Sequence, residues 1–176
     1  MRKAVILIVV LLCVAVLASP ATAQDSTKAE IFGGYQFTRV GGSGGINANG
    51  WNGAVTGKVR SWLGVTADFG GAYKSVAGVS VKAHTFLFGP VFSSPKSERV
   101  TPFVHVLFGG FHASAGFAGA SAGTGGFAIA VGGGVDAKVT KHVAVRVMQA
   151  DWLMWRAEGI TEKKNARIST GLVFRF

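Results

Sequence analysis

Apolar residues recur at every second position along most of this chain, and the residues between them are polar or small. The segment 63–73 is one example, because Val65 and Phe69 alternate with Thr66 and Asp68. A period of two is typical of a β-strand whose two faces meet different surroundings. The pattern predicts eight strands, at 29–40, 51–61, 63–73, 79–92, 102–113, 127–139, 143–156 and 166–176.

The alternation changes phase at one place, in the seventh predicted strand. Ala144 and Arg146 share one face at its start, but the phase is lost near Gln149. A β-bulge adds one residue to a strand and shifts the faces beyond it. A bulge here would turn both Gln149 and Asp151 toward the face of Arg146.

The first 23 residues have the features of a secretory signal peptide. Arg2 and Lys3 precede an apolar run over residues 4–17, and Ala21, Thr22 and Ala23 form a small-residue cleavage site. The alternative is a membrane anchor, but the run is shorter than the ~20 residues of a spanning helix. We therefore expect an exported mature domain of residues 24–176, with residues 1–23 removed.

Export changes the composition in two ways. The only cysteine, Cys13, leaves with the signal, so the mature domain has neither a thiol nor a disulfide. Loss of Arg2 and Lys3 lowers the net charge of the chain from +10 to +8. A basic exported protein meets anionic lipid or acidic polymers, and export removes nucleic acid from consideration as a partner.

Two fold classes produce alternating strands, a soluble sandwich with its apolar faces inside and a membrane barrel with its apolar faces outside. Apolar faces almost free of charge, strands of ten or more residues and aromatic residues near strand ends favour the membrane barrel. Lipid offers no hydrogen-bond partner to a strand edge, so the last strand must pair with the first. The residues expected in the aromatic girdles are Trp51, Tyr73, Trp152, Trp155 and Phe176.

Several stretches carry a resemblance to a known family. "GWNGAVTGKVRSWLGVTADFGGAY", "FLFGPVFS", "TPFVHVLFGG" and "GGGVDAKVTKHVAVRVMQADWL" resemble the outer-membrane β-barrel domain family, akin to the outer-membrane protein A-type barrel. An alternating last strand that ends on Phe174 and Phe176 is similar to the insertion signal of such proteins. The resemblance implies an all-β, eight-stranded, antiparallel up-and-down transmembrane barrel in the bacterial outer membrane, here without a peptidoglycan-binding domain.

The interior of an eight-stranded barrel is narrow enough for side chains to fill. Strand parity, the alternation of inward and outward residues along a strand, predicts four acids, six bases and one histidine, His105, in this interior. We expect Glu30 to pair with Arg167 across the closing strands and Asp136 to pair with Arg146. The interpretation is a charged network that fills the lumen, and the alternative is a narrow pore that weakly favours anions. The predicted lumen network is Glu30, Lys58, Arg60, Asp68, His105, Asp136, Lys138, Arg146, Asp151, Arg167 and Arg175.

A second set of basic residues lies near the connections 41–50, 74–78, 114–126 and 157–165, which face outward if both termini are periplasmic. Lipopolysaccharide phosphates would meet these cations there, although ordinary solvated loop charge explains them equally well. The resemblance further implies periplasmic chaperones and the barrel-assembly machinery as partners during biogenesis, and a monomer in the membrane. The predicted rim residues are Arg39, Lys74, Lys82, Arg156, Lys163 and Lys164.

Catalysis is a remote alternative, suggested by His112 and Ser114 on one face of a strand. An outer-membrane lipid A deacylase uses His, Ser and Glu on a barrel exterior, but a triad needs an acid that orients the His. No acid lies between Arg99 and Asp136, and Asp136 is expected to point inward. The four histidines lack metal-ligand spacing. We expect no enzyme activity, no cofactor and no metal, and a mainly structural role in the envelope.

Deletion of Phe176 is expected to lower the amount of protein in the outer membrane, because the terminal aromatic residue completes the last strand. The measurement is quantitative blotting of outer-membrane fractions from cells that produce either form. Outer-membrane levels equal to those of the unaltered chain would contradict the proposed insertion signal.

Overall fold

The chain folds into one closed sheet. The computed structural model describes residues 28–41, 45–76, 79–94, 99–117 and 120–176, so the expected signal peptide lies outside the described residues. No helix in these ranges is both long and apolar enough to cross a membrane. The eight strands are β1 (Ala29–Val40), β2 (Ile46–Arg60), β3 (Leu63–Val76), β4 (Val79–Ser93), β5 (Val100–Phe117), β6 (Ala120–Lys138), β7 (Val143–Ala157) and β8 (Ile160–Arg175).

Every strand is antiparallel to its neighbours, in chain order, and β8 closes the barrel against β1. The closing ladder runs from the pair Glu30 and Arg175 to the pair Arg39 and Ala166. The chain terminus takes part in it, because the carbonyl oxygen of Phe176 accepts hydrogen bonds from the amides of Lys28 (2.6 Å) and Ala29 (3.2 Å). The predicted pairing of the last strand with the first is confirmed.

The apolar face of each strand points outward. Val55, Val65 and Phe108 are each about half exposed, whereas the alternate residues Asn52 and Asp68 are buried inside. An apolar exterior and a polar interior reverse the arrangement of a soluble protein and match a barrel in lipid. Four of the predicted girdle residues lie on this exterior, namely Trp51, Tyr73, Trp152 and Phe176.

Trp155, the fifth predicted girdle residue, points into the barrel. It is 9% exposed and stacks on Phe111 with ring centroids 5.0 Å apart. The cause is a bulge in β7, where Asp136 pairs with Arg146 and Val135 pairs with Met148. Beyond this bulge the odd-numbered residues of β7 face inward, and these include both Gln149 and Asp151 as the sequence predicted.

Four strands, β2, β5, β6 and β8, reach well beyond the bounds that the sequence predicted, all toward the same end of the barrel. β2 begins at Ile46, the β5–β6 hairpin reaches residues 117 and 120, and β8 begins at Ile160. Strand therefore covers residues 46–50, 114–117, 120–126 and 160–165, which the sequence assigned to connections. Glycine-rich and charged segments have weak strand propensity, so here the pairing with a neighbouring strand decides.

The β7–β8 connection shows how a predicted loop becomes a hairpin. Ala157 pairs with Ile160, which leaves only Glu158 and Gly159 in the turn. Both have positive φ, 49° and 83°. Two positive φ values define the turn type whose twist matches that of the flanking strands. A glutamate in the first position hid this turn from the sequence pattern, because Asn or Asp usually precedes the glycine.

Two adjacent glycines of β1 differ in the space around them, and this gives a test of the closing seam. A Cβ on Gly34 would fall 2.8 Å from the Cα of Gly171 in β8, and closer still to the carbonyl oxygen of Thr170. We expect Gly34→Ala to destabilise the barrel by about 1–3 kcal/mol, the range for overpacking. The measurement is urea unfolding of the protein in lipid vesicles.

Gly33→Ala is the matched control. No atom lies within 4 Å of the Cβ position of Gly33, so this variant should unfold at the same urea concentration as the unaltered chain. Equal destabilisation by the two substitutions would contradict the close approach of β1 and β8 at Gly34.

Candidate functional site

The lumen of the barrel has two layers of different chemistry. The end that holds residues 28 and 176 is called the terminal end here, and the opposite end, with the connections β1–β2, β3–β4, β5–β6 and β7–β8, is the loop end. Toward the loop end, an apolar cluster on β4 to β7 faces buried polar side chains of the other strands, which include Thr38 and Asn165. The apolar cluster consists of Leu87, Leu107, Phe111, Ala128, Ala130, Leu153 and Trp155.

The layer toward the terminal end is a connected set of charged side chains. Glu30 is 3.2 Å from Arg175 and 3.6 Å from Lys58, measured between carboxylate oxygens and side-chain nitrogens. Lys58 also donates a hydrogen bond to the hydroxyl of Ser93 at 2.9 Å. Arg175 lies 3.7 Å from Asp136 and thereby links the Glu30 group to the next one.

Arg146 lies at the centre of this layer. Its Nε and one terminal nitrogen donate to both oxygens of Asp136, at 2.8 and 3.1 Å, and its other terminal nitrogen donates to Gln149 at 2.7 Å. The guanidinium carbon lies 4.3 Å from the ring centroid of Phe32 and 4.2 Å from that of Phe103. An arginine between two aromatic faces, with a bidentate carboxylate, is held in one orientation. The predicted pair of Asp136 and Arg146 is present.

Phe32 and Phe103 were not among the predicted interior residues. Strand parity could have placed both rings inside, because each residue alternates with an outward apolar residue. Parity does not predict that the two rings pack against an arginine.

Asp151 and Arg167 form the part of the network nearest the apolar cluster. Asp151 accepts hydrogen bonds from Gln149 (2.9 Å) and Arg167 (2.7 Å), and its other oxygen is 2.8 Å from Nε2 of His105. Arg167 reaches across the lumen to Asp68 at 2.7 Å, and Asp68 accepts from the Asn52 amide at 3.0 Å. Arg167 is 1% exposed.

The predicted pair of Glu30 and Arg167 is wrong. Glu30 is near the terminal end, where it pairs with Lys58 and Arg175. Arg167 precedes Arg175 by eight residues in β8 and pairs with Asp68 and Asp151 instead. The two strands are neighbours, but their register places Glu30 opposite Arg175. Only the register of β8 against β1 decides whether Arg167 or Arg175 lies near Glu30.

Two predicted interior bases are exposed. Arg60 and Lys138 are the last residues of β2 and β6, and both reach solvent at the terminal end. The buried network of the described residues therefore pairs four carboxylates with four bases, Lys58 and the three arginines, in addition to His105. The excess of base that motivated an anion-favouring pore is absent from this network.

Little free space remains among these side chains. A cavity of about 20 Å³ lies among them, lined by residues that include Glu30, Asp68, His105 and Arg146. A volume of that size holds about one water molecule.

The predicted rim residues lie together at the loop end, and all six are exposed. Parity divides five of them by direction. Lys74 alternates with outward residues and faces the mouth of the lumen, whereas Lys163 lies at a bulge of β8, between Glu162 opposite Trp155 and Asn165 opposite Leu153, so parity does not apply to it. The others lie on the outer wall and are Arg39, Lys82, Arg156 and Lys164.

His112 and Ser114 share the outer face of β5, as predicted, and His112 lies directly opposite His84 of β4. No described carboxylate is hydrogen-bonded to either histidine. The exposed acids of the described residues, Glu158 and Glu162, belong to the β7–β8 hairpin, and Glu162 lies opposite the inward-facing Trp155. The described residues also contain no group of three or more His, Cys, Asp or Glu that could hold a metal ion.

A closed eight-stranded barrel with an apolar exterior and a charged interior defines a transmembrane β-barrel protein of the bacterial outer membrane. The family model described as outer membrane protein beta-barrel domain matches residues 9–176, and the chain belongs to this family.

Solved barrels share the fold at low sequence identity. Neisserial surface protein A is 12% identical, with a TM-score of 0.74 over 85% of this chain and 98% of its own. Ail of Yersinia pestis is 18% identical, with a TM-score of 0.62 over 86% and 99%. The N-terminal barrel of Pseudomonas aeruginosa OprF is 10% identical, with a TM-score of 0.58 over 85% and 98%. No curated protein sequence matches this chain.

Substitution of Arg167 tests whether the network holds the barrel together. Arg167→Met leaves Asp68 and Asp151 without their shared cation inside the lumen. Removal of one partner from a buried ion pair costs about 3–5 kcal/mol, and we expect a loss of that size in the free energy of unfolding. Urea unfolding in lipid vesicles, followed by tryptophan fluorescence, measures it.

Lys164→Met is the control for this substitution, because Lys164 belongs to the same strand but is exposed at the loop end. It should leave the unfolding curve unchanged. Indistinguishable curves for the two variants would mean that the buried network contributes nothing to stability.

Proposed function

We propose that this protein is a non-conducting structural component of the outer membrane, which supports the barrier by holding lipopolysaccharide at its loop end. The observation that carries the proposal is the packing of the lumen, which an apolar cluster and a charge-balanced network occupy, with a cavity of only about 20 Å³ beside the charged side chains. A role in transport would need a continuous polar path between the two ends. The proposal includes a monomeric barrel without enzymatic activity, inserted by the barrel-assembly machinery after delivery by periplasmic chaperones.

The apolar cluster supports the absence of conduction independently of the charges. Phe111 and Trp155 stack across the lumen with their ring planes 15° apart, and Leu107 and Leu153 are almost completely buried beside them. An ion that passes this cluster would lose most of its water, and the uncharged buried groups beside it, such as Thr38 and Asn165, would replace that water only in part.

The exposed cations of the loop end support the contact with lipopolysaccharide. A basic residue at an anionic membrane surface contributes on the order of 1 kcal/mol to binding, so six residues around one rim are substantial together. A barrel of the same fold, Ail of Yersinia pestis, has been solved in complex with the heparin analogue sucrose octasulfate, a polyanion. That complex is a precedent for anion binding by this architecture.

The proposal is tested with a bacterial strain that lacks the protein and with the protein purified from outer membranes. We expect the strain to take up a hydrophobic fluorescent dye faster than its parent, and plasmid-borne protein to restore the slow rate. We expect no stepwise conductance from the purified protein in planar lipid bilayers, because the apolar cluster and the charged network occupy the lumen.

The two measurements separate the candidate functions. Regular conductance steps with a preference for anions would favour the narrow pore instead. Unchanged dye uptake together with the absence of conductance would contradict the role in the barrier.

A further inference from the structure

The outer wall of the barrel carries a groove that the proposed function does not use. It crosses β1, β2 and β3 and reaches β4, with a volume of about 420 Å³. That volume lies within the ~300–1,000 Å³ range of small-molecule sites. The side chains that line it on the outer face are Ile31, Trp51, Val55, Phe69, His84 and Phe86.

Gly53 lines this groove, and its partner Gly33 in β1 lies beside it, with no neighbouring atom that requires a glycine at either position. Gly33 and Gly53 are directly paired in β1 and β2, on the outer face. No atom lies within 4 Å of the Cβ position of Gly33, and the nearest atom to that of Gly53 is 3.6 Å away. Larger side chains would therefore fit. Glycine weakens the interior of a strand and often marks the close approach of a ligand.

Polar side chains border the groove on the side of the loop end. The indole nitrogen of Trp51 donates a hydrogen bond to the hydroxyl of Tyr73 at 3.1 Å, and this hydroxyl is 3.1 Å from Nε2 of His84. The register extends the border along the wall, because His84 pairs with His112 and Tyr73 pairs with Lys82. The groove is thus apolar along its length and polar and basic at one end.

The described side chains around this border include a positive charge, on Lys82, and no negative charge. Between residues 31 and 135 the sequence contains only two acids, Asp68 and Glu98. Asp68 is buried in the lumen with Arg167, and Glu98 belongs to the connection between β4 and β5, outside the described residues. No described carboxylate therefore competes for Lys82 on the outer wall formed by β2 to β5.

We propose that this groove is a binding site for lipid A, the acylated and phosphorylated anchor of lipopolysaccharide. One acyl chain lies over Gly33 and Gly53, between Ile31 and Phe86, and a phosphate meets Lys82 and the two histidines. The inference deepens the proposed function and rests on it, because the outer leaflet that the loop end faces is made of lipopolysaccharide. The proposed function places lipopolysaccharide around the whole rim, whereas this inference places lipid A on the one wall that β1 to β4 form.

The site is tested by filling the groove. Binding of purified lipid A to the protein purified from outer membranes is followed by native mass spectrometry. We expect Gly53→Leu to weaken binding by about tenfold, which corresponds to about 1.4 kcal/mol. The matched control is Gly110→Leu. Gly110 pairs with Phe86 in the same row of the outer wall but lies outside the groove, and its Cβ position has open space, with the nearest atom 3.5 Å away.

The basic border is tested without strain on the backbone. We expect Lys82→Gln to weaken binding of lipid A by about fivefold, as for loss of one cation at an anionic surface. It should leave binding of dephosphorylated lipid A unchanged. Lys164→Gln, on the opposite wall of the loop end, should have no effect on either lipid. Each variant is first checked for the heat-dependent gel mobility of a folded barrel.

The variant comparisons test the groove alone, whereas conductance and dye uptake test the proposed function. Absence of lipid A binding is the one outcome that would also contradict the proposed hold on lipopolysaccharide. Equal weakening by Gly53→Leu and Gly110→Leu would overturn the groove, and equal weakening by Lys82→Gln and Lys164→Gln would overturn the assignment to one wall. Absence of lipid A binding in the unaltered protein would overturn the proposal entirely. Displacement of lipid A by an equal concentration of phosphatidylglycerol would assign the groove to phospholipid and likewise overturn it.

Discussion

The closed hydrogen-bond ladder is the constraint on which the rest of this structure depends. Lipid offers no partner to a backbone amide or carbonyl, so a sheet in a membrane has no tolerable edge. The chain satisfies this by pairing β8 with β1 up to its last residue, where Phe176 bonds with both Lys28 and Ala29. Once the ladder is closed, strand parity assigns every side chain to the lipid or to the lumen.

The lumen then poses a second problem, because it has to be filled by the residues that parity supplies. Near the loop end, those of β4 to β7 are apolar and pack as a small core, and those of β1 and β8 are polar but uncharged. Near the terminal end they are charged, and each carboxylate of the network has a basic partner. The bulge in β7 makes this possible, since it places Arg146, Gln149 and Asp151 on one side of a strand that otherwise alternates.

The outer surface differs from wall to wall, although the fold repeats the same hairpin four times. The acids exposed in the described part of the loop end belong to the β7–β8 hairpin, whereas β2 to β5 present aromatic, histidine and lysine side chains beside a groove. The solved relatives share the barrel at 10–18% identity and therefore inform the fold alone. The difference between walls is a property of this chain, and it is where a preference for one lipid can arise.

The sequence by itself determined the class of fold, the number of strands, the direction of each face and the position of the bulge, because a period of two and the demands of lipid are local or universal rules. It placed several strand ends too near the barrel centre, missed the β7–β8 turn and put Trp155 on the outer face, since these depend on which neighbour a strand finds. It also misassigned the partner of Glu30. Ion pairs inside a barrel join residues that are distant in the chain, and only the register and curvature of the closed sheet bring Arg167 to Asp68 and Arg175 to Glu30.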